Sequence, residues 1–346
     1  MPTLWRRTYL YEGQTEVIAK VRIQASLSLL VAVVCWSTIP LFLRSFRHEI
    51  DVWTANGVRY PFSMMLWLGP LLFFYSRKRV PKDVWRRALV PSFINLFGQT
   101  FFAMTPYYLE PAIMMFLGRI SILFAIGLSL FLFADEAPLI RSKIFWIGAA
   151  ICLSGFIGMN VLSESLSSSV TTKGLLVLLC FAFFMAMYGV SVRYWMQGID
   201  PWISFPVICI YTSIGLFALM WMFGEPSRLL EMTPGRVSVL AISAVLGIAL
   251  GHTFYYYALE HIGVSICSGV SLVTPFLTAI GSYFIFQEIL SMGQWISGVF
   301  IFAGAVCLLS AQRHLGKRHS PAPINSNTPE IEEIASAEFG PDSSKH

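Results

Sequence analysis

Apolar residues run along this chain in blocks of about twenty, separated by short polar stretches and almost never alternating with period two. A helix of roughly 20 residues crosses the hydrocarbon core of a bilayer. Ten such blocks can be drawn, at about 25–43, 53–75, 88–109, 112–133, 143–162, 174–195, 202–223, 236–258, 263–286 and 293–311. The predicted fold class is all-α: a polytopic membrane protein of ten transmembrane helices. A polar segment, 1–24, precedes the first block, and a serine-rich stretch, 163–173, lies at the midpoint. Beyond 312 the chain turns basic and then rich in Pro, Ser and Glu, so 313–346 is expected to be a disordered tail.

The blocks come in two sets. Between Ala249 and Glu288 two apolar runs are parted only by Glu260-His261, and a weaker copy lies about 150 residues earlier. Gly98-Gln99-Thr100-Phe101-Phe102 answers Gly251-His252-Thr253-Phe254-Tyr255, Tyr107 to Glu110 answers Tyr257 to Glu260, and Asp135-Glu136 answers Gln287-Glu288. Residues 25–162 and 174–312 are thus predicted to be two five-helix repeats. Five is odd, so the second copy enters the membrane from the opposite face, and the repeats are inverted. Inverted repeats place a binding site at their interface near mid-depth, and rocking the halves exchanges its exposure.

Composition narrows the class. With 56% hydrophobic and 12% charged residues the chain is far from the quarter-charged composition of soluble domains, and it leaves little room for a soluble catalytic module. The net charge of +5 is a matter of topology rather than of nucleic acid. With a cytosolic N-terminus, Lys and Arg concentrate in inside segments, above all Arg77-Lys78-Arg79, Lys82 and Arg86-Arg87. Only Arg44, Arg47, Lys173, Arg228 and Arg236 fall outside, so both termini are expected in the cytosol. No short apolar core with a small-residue cleavage site opens the chain, which predicts a retained N-terminal segment at 1–24. A bacterial inner membrane or a plasma membrane suits these features. The six cysteines all fall inside apolar runs without metal-ligand spacing and read as packing residues.

Several residues together resemble a known family. Trp36-Ser37 in the first block, Val58-Arg59-Tyr60 in the second and the aromatic run ending in Ala258-Leu259 match the EamA-type permeases of the drug/metabolite transporter superfamily. So do Thr274-Pro275 in the ninth block, Glu288 at its end, and Gly298 and Gly304 in the tenth. The resemblance covers roughly residues 25–312. It implies a secondary carrier of small metabolites and does not select among amino acids, nucleosides, sugar phosphates and drugs. In one place the chain departs from the pattern: the fourth block has Ile122-Leu123 where the ninth has Thr274-Pro275, so no proline breaks the helix there.

Candidate functional residues follow from the cost of polarity in lipid. Arg59 and Arg119 lie on the order of 10 Å below one surface, and an intramembrane arginine is a site hypothesis by default. Together they suit a carboxylate or phosphate; a structural role for either, bonded to carbonyls, is the competing reading. His252 and its repeat partner Gln99 read as either proton-handling or helix-to-helix hydrogen bonders. Trp36, Tyr188 and Tyr256 are candidates to line a cavity. Thr274 and Pro275 are candidates because proline frees a backbone carbonyl that needs a partner. Glu136 and Glu288 end equivalent helices and read as gate residues. Gly148, Gly155, Gly158, Gly298 and Gly304 let helices approach closely.

The expected function is a permease of small metabolites such as amino acids or related polar or anionic compounds, working by alternating access. The alternative is a multispanning sensor or scaffold. No clustered ligands or nucleophile with a base argue for an enzyme, and neither cofactor nor metal is implied. The expected partners are a small-molecule metabolite and the lipid bilayer, with a homodimer as the candidate assembly and no nucleic acid.

Overall fold

The computed structural model describes the backbone of residues 2–166 and 171–319, and the side chains of 20–133, 138–161, 171–264 and 266–312. Among the described residues the chain is helical and has no strand. We number the helices α1 (Pro2–Phe46), α2 (Val52–Ser76), α3 (Val84–Tyr108), α4 (Pro111–Leu132), α5 (Lys143–Leu166), α6 (Thr172–Trp195), α7 (Pro201–Phe223), α8 (Pro234–Ile262), α9 (Val264–Ser271 continuing as Thr274–Phe286) and α10 (Met292–His319). Nine of these are long and apolar enough to cross a membrane. The remaining one, α2, has the length, 25 residues, but Asn56, Arg59, Pro61 and Pro70 dilute its apolar character. It can sit in the bundle because its polar side chains face protein: Thr54, Asn56, Arg59 and Ser63 are buried. The predicted tail starts inside α10, which runs on to His319; residues 320–346 lie outside the described residues.

The packing follows an exchange of α1–α5 with α6–α10. Helix α3 packs on α6, and correspondingly α8 on α1; α4 packs on α6, and α9 on α1; α3 packs on α7, and α8 on α2. The pairs α2 with α7, α4 with α9 and α5 with α10 map onto themselves. That these pairs survive swapping the halves is what a two-fold axis through the bundle requires, and α5 and α10 pair with each other as a scaffold that meets α4 through Phe116 and Trp295. The symmetry fails in α3, which also packs on α1 and α2 while α8 makes no comparable packing on α6 or α7, and again between α4 and α9. The first part of α4, Pro111–Leu117, packs on the second part of α9, Thr274–Phe286, but the reciprocal pair, Ser121–Leu132 with Val264–Ser271, makes no comparable packing. The bundle is closed at the end that carries Glu288 and parted at the other.

Two helices are irregular where they meet the centre. In α4 a 3₁₀ turn, Gly118–Ile120, interrupts the α-helix although no proline is present. In α8 a π-helical stretch, Val245–Leu250, does the same. Shifting the ladder from i+4 to i+5 leaves carbonyls without their usual donors, and in lipid each must be satisfied by protein. Side chains of α1 and α2 supply the donors. Trp36 Nε1 donates to Gly247 O (3.2 Å), Ser63 Oγ to Ala244 O (2.8 Å), Trp67 Nε1 to Ile248 O (3.3 Å) and Arg59 Nη2 to Ser243 O (3.4 Å).

Candidate functional site

At the centre of the bundle is a cavity of about 310 Å³. It is walled by Trp36 and Ile39 from α1, Arg59 and Tyr60 from α2, Gln99 from α3, Gly118 and Arg119 from α4, Met185 from α6 and His252 from α8, among others. Five of the residues singled out by the sequence, Trp36, Arg59, Gln99, Arg119 and His252, therefore meet in one space. They arrive there because each repeat contributes an equivalent element. Gln99 and His252, partners in the repeat, lie on α3 and α8, which the two-fold exchange interconverts.

The other candidates stand back from the cavity. Tyr188 packs into a cluster with Val207 and Ile208 between α6 and α7. Tyr256 lies in an aromatic group with Trp67, Trp202 and Phe205, at centroid distances of 5.5 to 6.4 Å. Three consecutive tyrosines on a helix point in three directions, and it is Tyr255 that meets Trp36, 4.8 Å between centroids. Thr274 and Pro275 are buried at the start of the second part of α9. The side chain of Glu136 lies outside the described residues.

Each polar wall residue has a traceable environment. Arg59 is 2% exposed; its Nε donates to Ser243 Oγ (2.9 Å), its Nη2 to Ser243 O (3.4 Å) and its Nη1 to Asn56 Oδ1 (3.5 Å). Arg119 Nη2 donates to Ser271 O (2.9 Å), while its Nε is buried without a partner. No carboxylate among the described residues lies within ion-pairing distance of either arginine. His252 is stacked on Phe205 (4.3 Å) and edge-on to Trp36 (5.3 Å). Its Nδ1 faces Ile248 O at 3.1 Å, and a carbonyl only accepts, so Nδ1 carries a proton. Gln99 is held by Asn95 Oδ1 (3.3 Å).

The closed end carries an ionic group. Arg44 Nη1 donates to Pro106 O (3.0 Å), and Arg44 Nη2 faces Glu288 Oε1 at 3.5 Å, with both side chains under 15% exposed. Ser282 Oγ donates to the other Glu288 oxygen. Arg236 of α8 reaches Glu49 (2.6 Å) and Ser45 O (2.9 Å) at the end of α1. Asp51 caps α2 through Thr54 N (2.9 Å) and takes the Glu225 N–H beyond α7 (2.9 Å). Glu288, a gate candidate in the sequence, thus stands beside Arg44 at the closed end.

Burial raises the Glu288 carboxyl above its ordinary 4.5, against the Ser282 hydrogen bond and the charges of Arg44 and Arg47. Glu110 is raised too, by burial and then by the charge of Glu288, with Arg44 opposing. A carboxyl raised in the folded state supports the fold fully below its unfolded value, and that support is lost as pH climbs through the folded value. The thermal midpoint in detergent is therefore expected to fall as pH is raised from about 4.5. In Glu288→Gln the slope should flatten; an unaltered slope would remove Glu288 from the effect.

The model of the EamA-like transporter family matches residues 24–161 and again 172–310. Solute carrier family 35 member B1 of Danio rerio is 32% identical over 89 residues, 25% of this chain and 27% of that protein. An uncharacterized transporter of Haemophilus influenzae is 22% identical over 198 residues, 57% of this chain and 64% of that protein. The chain thus spans less than two thirds of either relative. A solved crystal structure superposes with a TM-score of 0.57 at 17% identity, over 84% of this chain and 98% of its own, a likeness of fold.

Proposed function

Since the chain belongs to the EamA-like transporter family, we propose that it carries a small polar or anionic metabolite, of amino-acid size, through the central cavity by alternating access. The observation that supports this reading is the failure of two-fold symmetry at α4 and α9. The halves meet at the Glu288 end and part at the other, as one of two alternating states would, and exchanging the roles of the repeats would generate the second. The cavity is lined from both repeats, and its volume, about 310 Å³, holds roughly ten water molecules at ~30 Å³ each. Cargo of a few carbon atoms fits; a large glycoconjugate does not.

With the orientation that the basic loops favour, both termini and the parted end face the cytosol of a cell or inner membrane, and Arg44 with Glu288 closes the outer side. Gln99 and His252 offer hydrogen bonds to cargo, and Trp36 an aromatic face. The test is solute flux. Proteoliposomes loaded with a mixed metabolite extract are incubated in buffer, and the contents are compared by mass spectrometry with protein-free vesicles. Selective, protein-dependent loss or exchange of a small solute is expected. Identical contents under every gradient tried would defeat the reading.

A further inference from the structure

We propose that Arg119 binds an oxyanion of the cargo, a carboxylate or phosphate on an apolar body, and that binding releases the tie this arginine makes between the two repeats. The inference rests on the central cavity being the cargo site.

Pro275 breaks the hydrogen-bond ladder of α9. In a continuous helix the N–H of residue 275 would bond Ser271 O, and proline has none, so that carbonyl is orphaned in the middle of α9. Two donors from the protein fill it: Thr274 Oγ1 at 2.6 Å and Arg119 Nη2 at 2.9 Å. Arg119 comes from the 3₁₀ break of α4, the other irregular point on the α4–α9 axis, and Phe116 and Phe276 meet edge-to-face beside it, 5.0 Å apart. The guanidinium thus clasps the broken helix of one repeat to that of the other.

As a binding partner for the cation, one neutral carbonyl is far too little. A charge held away from bulk water wants a counter-charge and filled hydrogen bonds, yet no carboxylate among the described residues lies within ion-pairing distance of the half-buried Arg119, and its Nε has no partner. Arg59, by contrast, has spent its fork on Ser243 and Asn56. Of the two arginines, Arg119 is the one with a nitrogen left without a partner, and a carboxylate or phosphate matches its fork bidentately. The walls around it, Ile39, Phe102, Met115 and Phe181, suit an apolar body. They offer no carboxylate for an ammonium group, which disfavours a zwitterion.

The arrangement also explains why capture is inexpensive. When the guanidinium turns to an oxyanion, Thr274 still satisfies Ser271 O, so no polar group is stranded. The empty protein keeps the clasp across the repeats and the loaded protein loses it. Loading therefore eases the rocking motion, and exchange of anions should outpace net movement.

The experiment uses the purified full chain in detergent. Its thermal midpoint is followed against benzoate, phenyl phosphate and benzamide, which share a ring and differ in charge. Benzoate, phenyl phosphate or both should stabilise the protein and benzamide should not; which of the two oxyanions does so tells carboxylate from phosphate. In Arg119→Gln the apparent affinity should weaken by roughly tenfold to a hundredfold, and in Arg119→Lys by less. Thr274→Val should weaken it about fivefold without touching the ligand, because capture would then strand Ser271 O. A merely structural Arg119 would produce neither the charge discrimination nor the Thr274 effect. Equal stabilisation by benzamide, unaltered oxyanion binding in Arg119→Gln, or no response to either oxyanion would each overturn the assignment. Should Arg119→Gln fail to fold, the benzamide comparison and Thr274→Val decide it. Metabolite flux that persists in Arg119→Gln would remove this assignment and leave the cavity reading standing, whereas a protein that moves no solute removes both.

Discussion

Leucine in place of Gly304 is expected to leave little folded protein: a thermal midpoint far below wild type, or no monodisperse protein in detergent. A Cβ built on Gly304 would lie 2.5 Å from the Cys152 nitrogen and 2.7 Å from its Cα, both backbone atoms that cannot rotate aside. Gly155 answers from the other helix, where a Cβ would meet Ile301 N and Ser297 O at 2.7 Å, and at Gly148 it would meet Cys307 Cβ at 2.8 Å. Contact between α5 and α10 is therefore backbone on backbone, the closest approach helices allow, and in lipid such packing is the main attraction between them. Relief requires the helices to separate along their length, which forfeits dispersion contacts on both sides. Overpacking costs about 1–3 kcal/mol where side chains can adjust; here they cannot, and the loss should exceed about 3 kcal/mol out of the ~5–15 kcal/mol typical of a fold. Gly127→Ala is the control, since nothing lies within 4 Å of its would-be Cβ. A Gly304→Leu protein that melts like wild type would mean that the α5–α10 seam does not hold the scaffold.

The spacing of the glycines along two apolar blocks announced close approach but not the partner, and one of them, Gly298, faces Phe116 of α4 instead of α5. The helices themselves were legible because lipid tolerates only long apolar segments, and block length gives the count. Irregular turns were legible in part. Pro275 announces an orphaned carbonyl, and the structure supplies both its partners. The break in α4 carries no such signal, since the absence of a proline at Ile122-Leu123 argued against it and the 3₁₀ turn formed three residues earlier, at Gly118–Ile120. The π-stretch of α8 is invisible in sequence because it is a tertiary effect: four side chains of α1 and α2 donate to its carbonyls and its neighbours'. Gly247 and Gly251, where a Cβ would meet Ile39 and Trp36 at 2.5 and 2.6 Å, were the only local hint that α1 presses on this turn. Composition could nominate Tyr256 for the cavity but not fix the phase of α8, and a π-turn just upstream rotates every residue after it.

Arg59 separates the two readings that sequence left open. We expect Arg59→Lys to be more destabilising than Arg59→Gln, and both to reduce solute flux by on the order of tenfold or more. Each of the three nitrogens of this guanidinium donates to protein, and two of its bonds go to one residue, Ser243, whose own hydroxyl proton is committed to Leu240 O at 2.6 Å. An ammonium is a compact point charge that cannot reproduce the fork. Lysine would leave a charge in a site 2% exposed with fewer bonds, and each hydrogen bond lost to a charged group costs about 1.5–3 kcal/mol. Glutamine removes the charge, keeps one donor for Ser243, and should cost only ~1–2 kcal/mol, the price of a lost hydrogen bond and some packing. The loss of flux has a common origin in both variants: Ser243 immediately precedes the last α-helical residue before Val245–Leu250, so its release frees the π-turn that sets Gly247 and His252 against the cavity. Thermal midpoints and vesicle flux on the two variants decide the matter. If lysine preserved flux while glutamine abolished it, the positive charge and not the fork would be what the cavity uses, and Arg59 would join Arg119 as an anion ligand.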